Sequence, residues 1–300
     1  MQAIQLILEN PVAFVSVAAI VSLMVGSFLN VVIYRLPIML ENAWRAELDE
    51  YNKPAEATAA HDTNAKESSQ PFNLSTPRSR CPSCSHPISA IENIPVFSYL
   101  ALRGKCRSCQ TQISWRYPAI EALTAMLCGF IAWQMFATPA AALAAIALTW
   151  ALVALTWIDY DTYLLPDNIT LPLIWAGLIA NYYGLFTTLQ SAVWGAIFGY
   201  LVLWSVFWLF KIITGKEGMG YGDFKLLAAL GAWLGWELLP IVVLLSSLVG
   251  AAIGIAMIVF ASHEKSKPIP FGPYLAIAGW IALVWGEQIN HAYFRYMGLI

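Results

Sequence analysis

The sequence predicts an all-α protein that crosses a lipid bilayer several times. Of its 300 residues, 59% are hydrophobic and only 11% are charged, whereas soluble domains contain roughly 45 to 50% and about 25% of these classes. The apolar residues fall into runs close to the ~20 residues that a helix needs to cross the hydrocarbon core. Composition and run length together predict a polytopic membrane protein with about eight transmembrane helices.

The predicted spans are bounded by polar or helix-breaking residues. Residues 226–260 form one long apolar stretch, but a helix of that length, at ~1.5 Å per residue, would far exceed the ~30 Å core. Gly235 and Pro240 therefore mark a break within it. The predicted spans are residues 12–34, 119–137, 139–158, 169–186, 191–213, 224–238, 240–260 and 272–287.

The distribution of basic residues predicts the orientation. If the N-terminus is outside, every Lys and Arg except Arg295 falls on one side of the membrane, and the positive-inside rule makes that side cytoplasmic. No basic residue precedes the first apolar run, so we expect this span to be retained and not removed as a signal peptide. The formal net charge of −2 gives no indication of nucleic-acid binding.

The long polar segment after the first span divides into two parts. Trp44, Leu48 and Tyr51 recur at helical spacing, which predicts a short amphipathic helix, whereas residues 54–70 have no apolar period and are interpreted as a mobile linker. No internal repeat of fixed period is found. The predicted organisation is a first span at 1–34, the amphipathic helix and linker at 35–75, a cytoplasmic tetracysteine domain at 76–118 and a transmembrane domain at 119–300.

Two Cys-x-x-Cys pairs predict a metal site in this polar segment. The ligands would be Cys81, Cys84, Cys106 and Cys109. Two such pairs can close a tetrahedral Zn(II) site, and a reducing cytoplasm disfavours disulfides. Four thiolates leave no open position for a substrate, so the zinc would be structural. The alternatives are two redox pairs or a site without metal. His86 is interpreted as a surface residue and not a ligand, and Cys128 as a small core residue.

Two aspartates at the edges of apolar runs are the candidate catalytic groups. Asp159 follows the third span, and Asp223 ends the string Gly220-Tyr-Gly-Asp223 before the sixth span. Ionisable groups near hydrocarbon are costly and usually functional. Glycines permit backbone conformations closed to other residues and allow a peptide to approach. The alternative is that this glycine-rich turn only begins the sixth span.

A pair of neighbouring carboxylates suits an aspartic protease. The two groups cannot easily both ionise, so one stays protonated while the other activates water, and such a pair titrates as a unit. Asp161 remains an alternative to Asp159, with hydrogen bonding to the site or simple solvent exposure as its other roles. Asp167 has the position of an N-cap for the fourth span.

Several further motifs accompany these residues in order along the chain, and with them the sequence resembles the bacterial type IV prepilin peptidases. The motifs are Gly26–Pro37, the paired Cys-x-x-Cys motifs, Asn93–Leu100, Leu102–Cys106, Arg116–Glu121, Asp159–Asp167, Gly220–Asp223 and Pro270–Pro273. The family pattern places its first catalytic acid seven residues before a proline. In this chain that proline is Pro166, so the resemblance selects Asp159.

The resemblance implies a bifunctional enzyme of the bacterial inner membrane. It would remove the basic leader of type IV prepilins and type II secretion pseudopilins on the cytoplasmic side, after a glycine. It would then methylate the new N-terminal amine with S-adenosylmethionine. The cysteine-bearing loop, including Glu92–Pro95, would take part in methyl transfer, although Ala90-Ile91 replaces an aromatic residue that the family often has there. Glu121, Glu217 and Glu264 are candidates for attracting the leader's charge, with solvated surface roles as the alternative.

Two other classes of function fit the same acids and cysteines. An ion-coupled transporter can place two aspartates in an ion path. A non-enzymatic assembly factor would use the cysteine domain as a docking surface and would not need either aspartate.

Overall fold

The computed structural model describes residues 7–52, 72–260, 269–296 and 298. The predicted linker at 54–70 lies outside the described residues. So do Glu264 and the basic residues Lys265 and Lys267, which contributed to the predicted orientation.

The described residues are mainly helical, and their only strand-like pairings are two isolated β-bridges. This confirms the all-α prediction. The helices are α1 (Pro11–Tyr51), α2 (Phe97–Ala101), α3 (Arg116–Gln134), α4 (Pro139–Thr162), α5 (Asp167–Tyr182), α6 (Leu189–Thr214), α7 (Tyr221–Leu234), α8 (Leu239–Phe260) and α9 (Gly272–Tyr296).

Each of the eight predicted spans overlaps one helix, but the helices differ in whether their length and composition suit them to cross a membrane. Four are long and apolar enough by length and composition: α1, α4, α6 and the stretch Trp236–Met257 that contains most of α8. The total of eight spans therefore stays a prediction. Gly235, with a φ of 85°, and the 3₁₀ turn Trp236–Leu238 separate α7 from α8, so the predicted break in this stretch is confirmed.

Helix α1 is much longer than the predicted first span. It runs for 41 residues and includes Trp44, Leu48 and Tyr51. These residues are helical and exposed, but they continue α1 without a break and do not form a separate short helix.

The chain forms two compact units. One contains residues 1–22 and 123–300, and the other contains residues 23–122. In the first unit, α7 is the central element: 11 of its 14 residues are buried, and helices α5, α6 and α9 pack against it. A helix this short, which is polar only at its start, is typical of a core element enclosed by longer helices.

Glycines bring α6 and α7 to backbone contact. A Cβ atom built on Gly195 would lie 2.2 Å from the carbonyl oxygen of Gly231, and one built on Gly231 would lie 2.1 Å from that of Gly195. One turn later, a Cβ on Gly199 would lie 2.5 Å from the carbonyl oxygen of Leu227. Small residues four apart allow this approach between membrane helices, where dispersion contacts drive association.

Polar contacts fix the far end of α7. The buried Asn181 amide donates to the carbonyls of Ala232 and Trp233 at 2.8 and 2.9 Å, and its oxygen accepts from the backbone N–H groups of Phe186 and Thr187. These four bonds satisfy the buried side chain. They tie the last turn of α7 to the connection between α5 and α6.

We expect Gly195→Ala to destabilise the protein by about 3 kcal/mol, because the new methyl group overlaps the backbone of α7 and forces the helices apart. Thermal unfolding in detergent measures the effect as a lower apparent melting temperature. Gly129→Ala is the matched control, because a Cβ there makes an ordinary contact of 3.6 Å with Ala19. Equal melting temperatures for the two variants would contradict the close packing of α6 and α7.

Candidate active site and metal site

Asp159 lies in the last turn of α4 and is only 5% exposed. Its Oδ2 atom accepts a hydrogen bond of 2.9 Å from the backbone N–H of Gly272, at the start of α9. Helix α4 ends three residues later, where Tyr163 adopts a left-handed conformation. The carboxylate is therefore held from a second helix at the point where its own helix ends.

Asp223 lies in the first turn of α7 and is 6% exposed. Gly220 is the N-cap of this helix, and its backbone N–H donates a hydrogen bond to the Asp223 carboxylate. A carboxylate at this position that reaches back to the N-cap amide is half of a capping box. The Gly-x-Gly-Asp string thus begins the helix, as the alternative interpretation required, and also orients a buried acid.

The two aspartates are brought to the same end of the helical unit. Their carboxylates are close enough for the charge of Asp159 to act on Asp223. Leu165 packs against both Gly222, next to Asp223, and Gly272, which binds Asp159. A Cβ built on Gly222 would lie 2.6 Å from Leu165 Cβ, and one built on Gly272 would lie 3.2 Å from Leu165 Cδ1. The starts of α7 and α9 therefore meet at Leu165.

The glycines act differently from the sequence prediction. Gly220 has φ and ψ of −84° and 153° and Gly222 is helical, so neither uses a conformation closed to other residues. Gly222 is required by lack of space beside Leu165. At Gly220 an added Cβ would make only an ordinary contact, 3.8 Å from the Asp223 Oδ2 atom.

The structure separates Asp159 from the other acids near it in sequence. Asp161 is exposed, whereas Asp159 is buried. Asp167 is not the N-cap of α5, which is Pro166; it is the first helical residue. Its carboxylate accepts from the Lys225 ammonium at 2.6 and 2.7 Å, so Asp167 links the first turns of α5 and α7.

Gly272 is the site residue that the sequence did not single out. The motif Pro270–Pro273 contributed to the resemblance, but its contact with an acid 113 positions away leaves no local pattern. A Cβ on Gly272 would lie 2.6 Å from the Asp159 Oδ2 atom. The only signal available was a glycine between prolines immediately before a span.

The four predicted cysteines converge in the second unit. Their sulfur atoms all lie within 4.8 Å of one another. The Cys81 and Cys109 sulfurs are 3.7 Å apart, and those of Cys84 and Cys106 are 3.9 Å apart. A tetrahedral site with Zn–S bonds of ~2.3 Å requires about 3.8 Å between sulfurs, so the cluster fits Zn(II). Both of these distances join sulfurs of different motifs, which favours one shared site over two redox pairs.

Two equivalent turns present these cysteines. In the first turn, the N–H of Ser85 donates to the carbonyl of Cys81. In the second, 25 positions later, the N–H of Gln110 donates to that of Cys106. Both Ser85 and Gln110 have φ of 58°, and an isolated bridge closes each turn. Five of the ten residues are identical between 80–89 and 105–114, so the sequence prediction that the chain has no internal repeat is wrong for this segment.

Hydrogen bonds favour the thiolate form at two of the four positions. Bonds from the Thr111 side chain and backbone lower the pKa of Cys109 to about 6. Backbone N–H groups of Cys84 and Ser83 lower the pKa of Cys81. Thiolates are the form that binds zinc, so the turns favour metal binding at Cys81 and Cys109, whereas burial raises the pKa of Cys84 to about 11.

Glu92 connects the two cysteine turns. It accepts hydrogen bonds of 2.9 Å from the N–H and hydroxyl of Ser89, which lower its pKa. Its carboxylate also lies 3.7 Å from His86 Nε2 and 4.0 Å from the Arg107 guanidinium. His86 therefore faces a carboxylate and is not part of the sulfur cluster, in agreement with the sequence interpretation.

The other candidate glutamates have partners of their own. Glu121 is 8% exposed and accepts the N–H of Val96 at 2.8 Å, so it is not a solvated surface group. Val96 has φ of 61°, which is unusual for a β-branched residue. Glu217 pairs with Lys211 at 2.8 Å.

Comparison with known proteins assigns both parts of the chain. Residues 20–135 match the bacterial peptidase A24 N-terminal domain, and residues 146–255 match the type IV leader peptidase family. A relative from Aeromonas salmonicida is 59% identical over 284 residues, covering 94% of each chain. One from Stutzerimonas stutzeri is 53% identical over the full length of both chains. The chain belongs to the type IV leader peptidase family.

The similarity within the leader peptidase family extends beyond these two relatives. A Pseudomonas aeruginosa protein is 53% identical over 97% of each chain, and all three relatives are named prepilin leader peptidase/N-methyltransferase. No solved structure gives a significant match. The region matched to the leader peptidase family contains both Asp159 and Asp223. It ends before Gly272, so the contact between Gly272 and Asp159 comes from the structure and not from the family match.

We expect the purified leader peptidase to contain one zinc ion per chain, and we expect Cys84→Ala and Cys109→Ala to lose it, because three thiolates do not close a tetrahedral structural site. Elemental analysis of the protein measures the metal content. Cys128→Ala, which removes the buried cysteine outside the cluster, should keep its zinc. Full zinc content in the Cys84 and Cys109 variants would contradict the assignment.

Proposed function

We propose that this chain is a membrane aspartic endopeptidase in which Asp159 and Asp223 form the acid/base pair. The single observation that carries the proposal is the convergence of two buried carboxylates, from α4 and α7, at one end of the helical unit. Burying two acids near each other costs free energy, and such costly groups cluster at functional sites. An aspartic protease uses this arrangement, because one proton is shared between two carboxylates.

The proposed reaction uses the two aspartates in complementary forms. The ionised carboxylate takes a proton from a water molecule, whose oxygen attacks the scissile carbonyl carbon. The protonated carboxyl donates its proton to the carbonyl oxygen as the tetrahedral intermediate forms. Collapse of this intermediate breaks the C–N bond, and the leaving amine receives a proton from the pair. The hydrogen bond from Gly272 keeps the Asp159 carboxylate in a fixed orientation during these transfers.

The substrates in this proposal are prepilins and pseudopilins. The relatives carry the name prepilin leader peptidase, and the resemblance implies cleavage after a glycine between a basic leader and an apolar segment. The positive-inside bias of the sequence supports a site on the cytoplasmic side of the inner membrane. The basic residues of the leader would then stay in the cytoplasm, and the leader would be cut there. This is also the side that carries nearly all the basic residues of the enzyme.

The second activity in the proposal is N-methylation of the newly exposed amine. The relatives are also named N-methyltransferases, and S-adenosylmethionine is the methyl donor that the resemblance implies. The four cysteines would hold Zn(II), which supplies a structural cross-link between the two turns and, with four thiolates, no open coordination position. No residue of the chain is assigned to the methyl donor.

The comparisons do not support the alternative of an ion-coupled transporter, because the relatives carry peptidase and methyltransferase names over nearly the full chain. An assembly factor would not need buried acids that face each other. Variants of the aspartates distinguish both alternatives from a peptidase.

We expect Asp159→Asn and Asp223→Asn each to lower the rate of prepilin cleavage by about 10³-fold or more, because an amide cannot exchange the protons that both steps need. Mass spectrometry of a prepilin incubated with each detergent-solubilised variant measures leader loss. Asp161→Asn is the matched control, since this neighbouring acid is exposed, and it should cleave normally. Intact cleavage by either catalytic variant would refute the proposal. A parallel sample with S-adenosylmethionine should gain one methyl group on the mature product.

We expect Gly272→Ala to lower kcat by about 10²-fold, because the added methyl group displaces the Asp159 carboxylate and a displacement of ~1 Å is enough for such a loss. The measurement is the prepilin cleavage rate at saturating substrate. Gly220→Ala keeps the backbone N–H and adds a methyl group at an ordinary contact distance of 3.8 Å from Asp223 Oδ2, so it tests whether any alanine beside an acid has this effect. Similar rates for both variants would show that the Gly272 contact does not position Asp159.

A further inference from the structure

A continuous apolar groove lies between helices α6 and α8. It consists of two adjoining cavities of about 710 and 370 Å³. Val202 on α6 and Val243 and Ser247 on α8 line both cavities, so the two are parts of one groove. Helix α7 packs closely on α6, and α8 packs on α9, which leaves the space between α6 and α8 open.

One end of the groove lies next to the candidate active site. Met219 and Phe271 line this end, and they immediately precede Gly220 and Gly272, whose backbone amides bind the two aspartates. The other end lies at Trp236 and Pro240, beyond the C-terminus of α7. The groove therefore follows the length of the buried helix and leads to the acids.

The lining of the groove is apolar and accessible. No charged residue is among the lining residues. Leu244 and Leu248 are 66% and 64% exposed, so their side chains have little packing from the described part of the chain. Ser247, Gly250 and Ala251 form a small-residue surface on the same stretch of α8, and small residues allow another backbone to approach.

The position of the groove restricts what can occupy it. Both flanking helices are among those long and apolar enough to cross a membrane, so a polypeptide in the groove must satisfy its own backbone hydrogen bonds. Only a helix does this in hydrocarbon. The α8 wall from Pro240 to Ala251 extends for about 16 Å at ~1.5 Å per residue, which accommodates three turns of a second helix.

We propose that this groove binds the apolar segment of the substrate as a transmembrane helix and delivers the peptide bond at its end to Asp159 and Asp223. The inference rests on the proposed peptidase function and adds a location for the substrate. The end of the groove at Met219 and Phe271, one residue from the amides that bind the two acids, is the observation that favours a substrate helix over a lipid chain, because a lipid gains nothing from an approach to the acids. In this arrangement the substrate helix ends at Met219 and Phe271, where the groove ends. The substrate chain beyond the helix can extend across the two carboxylates.

A bulky side chain in the groove tests this proposal. Ala251 lines the groove and Ala252 does not, although both are exposed on the same helix. We expect Ala251→Trp to lower kcat/KM for a full-length prepilin by about tenfold or more, chiefly through KM, because it removes binding and not chemistry. Ala252→Trp should stay within about twofold of the wild type. Val202→Trp and Leu201→Trp form a second matched pair on α6, with 42% and 47% exposure, in case one tryptophan disturbs folding.

Photo-crosslinking provides an independent readout. A photoreactive residue at position 251 of the Asp223→Asn variant, irradiated with saturating prepilin, should form an adduct with the apolar segment of the substrate, whereas one at position 252 should not. Equal kinetics within both tryptophan pairs would overturn the groove assignment, and so would an adduct at 251 that contains only phospholipid. If the wild type leaves prepilin uncut, the proposed function fails first, and that outcome is distinct from failure of the groove.

Discussion

Helix α7 lies against helix α6 at backbone distance, because Gly195 and Gly231 face each other without side chains between them. This contact depends on the absence of two methyl groups. Through it, a helix of only 14 residues is enclosed by its longer neighbours. The burial of Asp223, the capping of its carboxylate by Gly220 and its approach to Asp159 all depend on the depth at which α7 is held. The candidate active site is therefore a product of helix packing more than of the local acid motif.

Much of this arrangement follows from sequence. Apolar runs identified the helices because a membrane selects for length and hydrophobicity. The spacing of the cysteines identified the four-cysteine cluster because tetrahedral geometry needs two closely spaced pairs. The acids were found because ionisable groups at such positions are costly. In each of these cases the signal is local, within one run or one motif.

The features that sequence did not predict are contacts between distant segments. Gly272 and Asp159 are separated by 113 positions, and the proline-rich string around Gly272 does not reveal that its amide binds an acid. The roles of Gly222 and Gly195 are steric, and a steric role is visible only when the neighbouring atom is known. Asp167 illustrates the same limit. Its position suggested a helix cap, but Lys225, 58 positions away, provides a charged partner.

The attachment of α7 at both ends has a mechanical consequence. Asn181 holds its last turn, and the facing glycines block axial sliding, since a shift by one residue would bring a side chain against the opposing backbone. The backbone of Asp223 is thus fixed by a helix that is held at both ends. Asp159, in contrast, lies in the final turn of α4, which ends at the left-handed residue Tyr163. Its carboxylate is bound by a single backbone amide of α9, that of Gly272. The position of Asp223 is therefore set by the packing of a whole helix, whereas that of Asp159 is set by one backbone amide from a helix more than a hundred positions away.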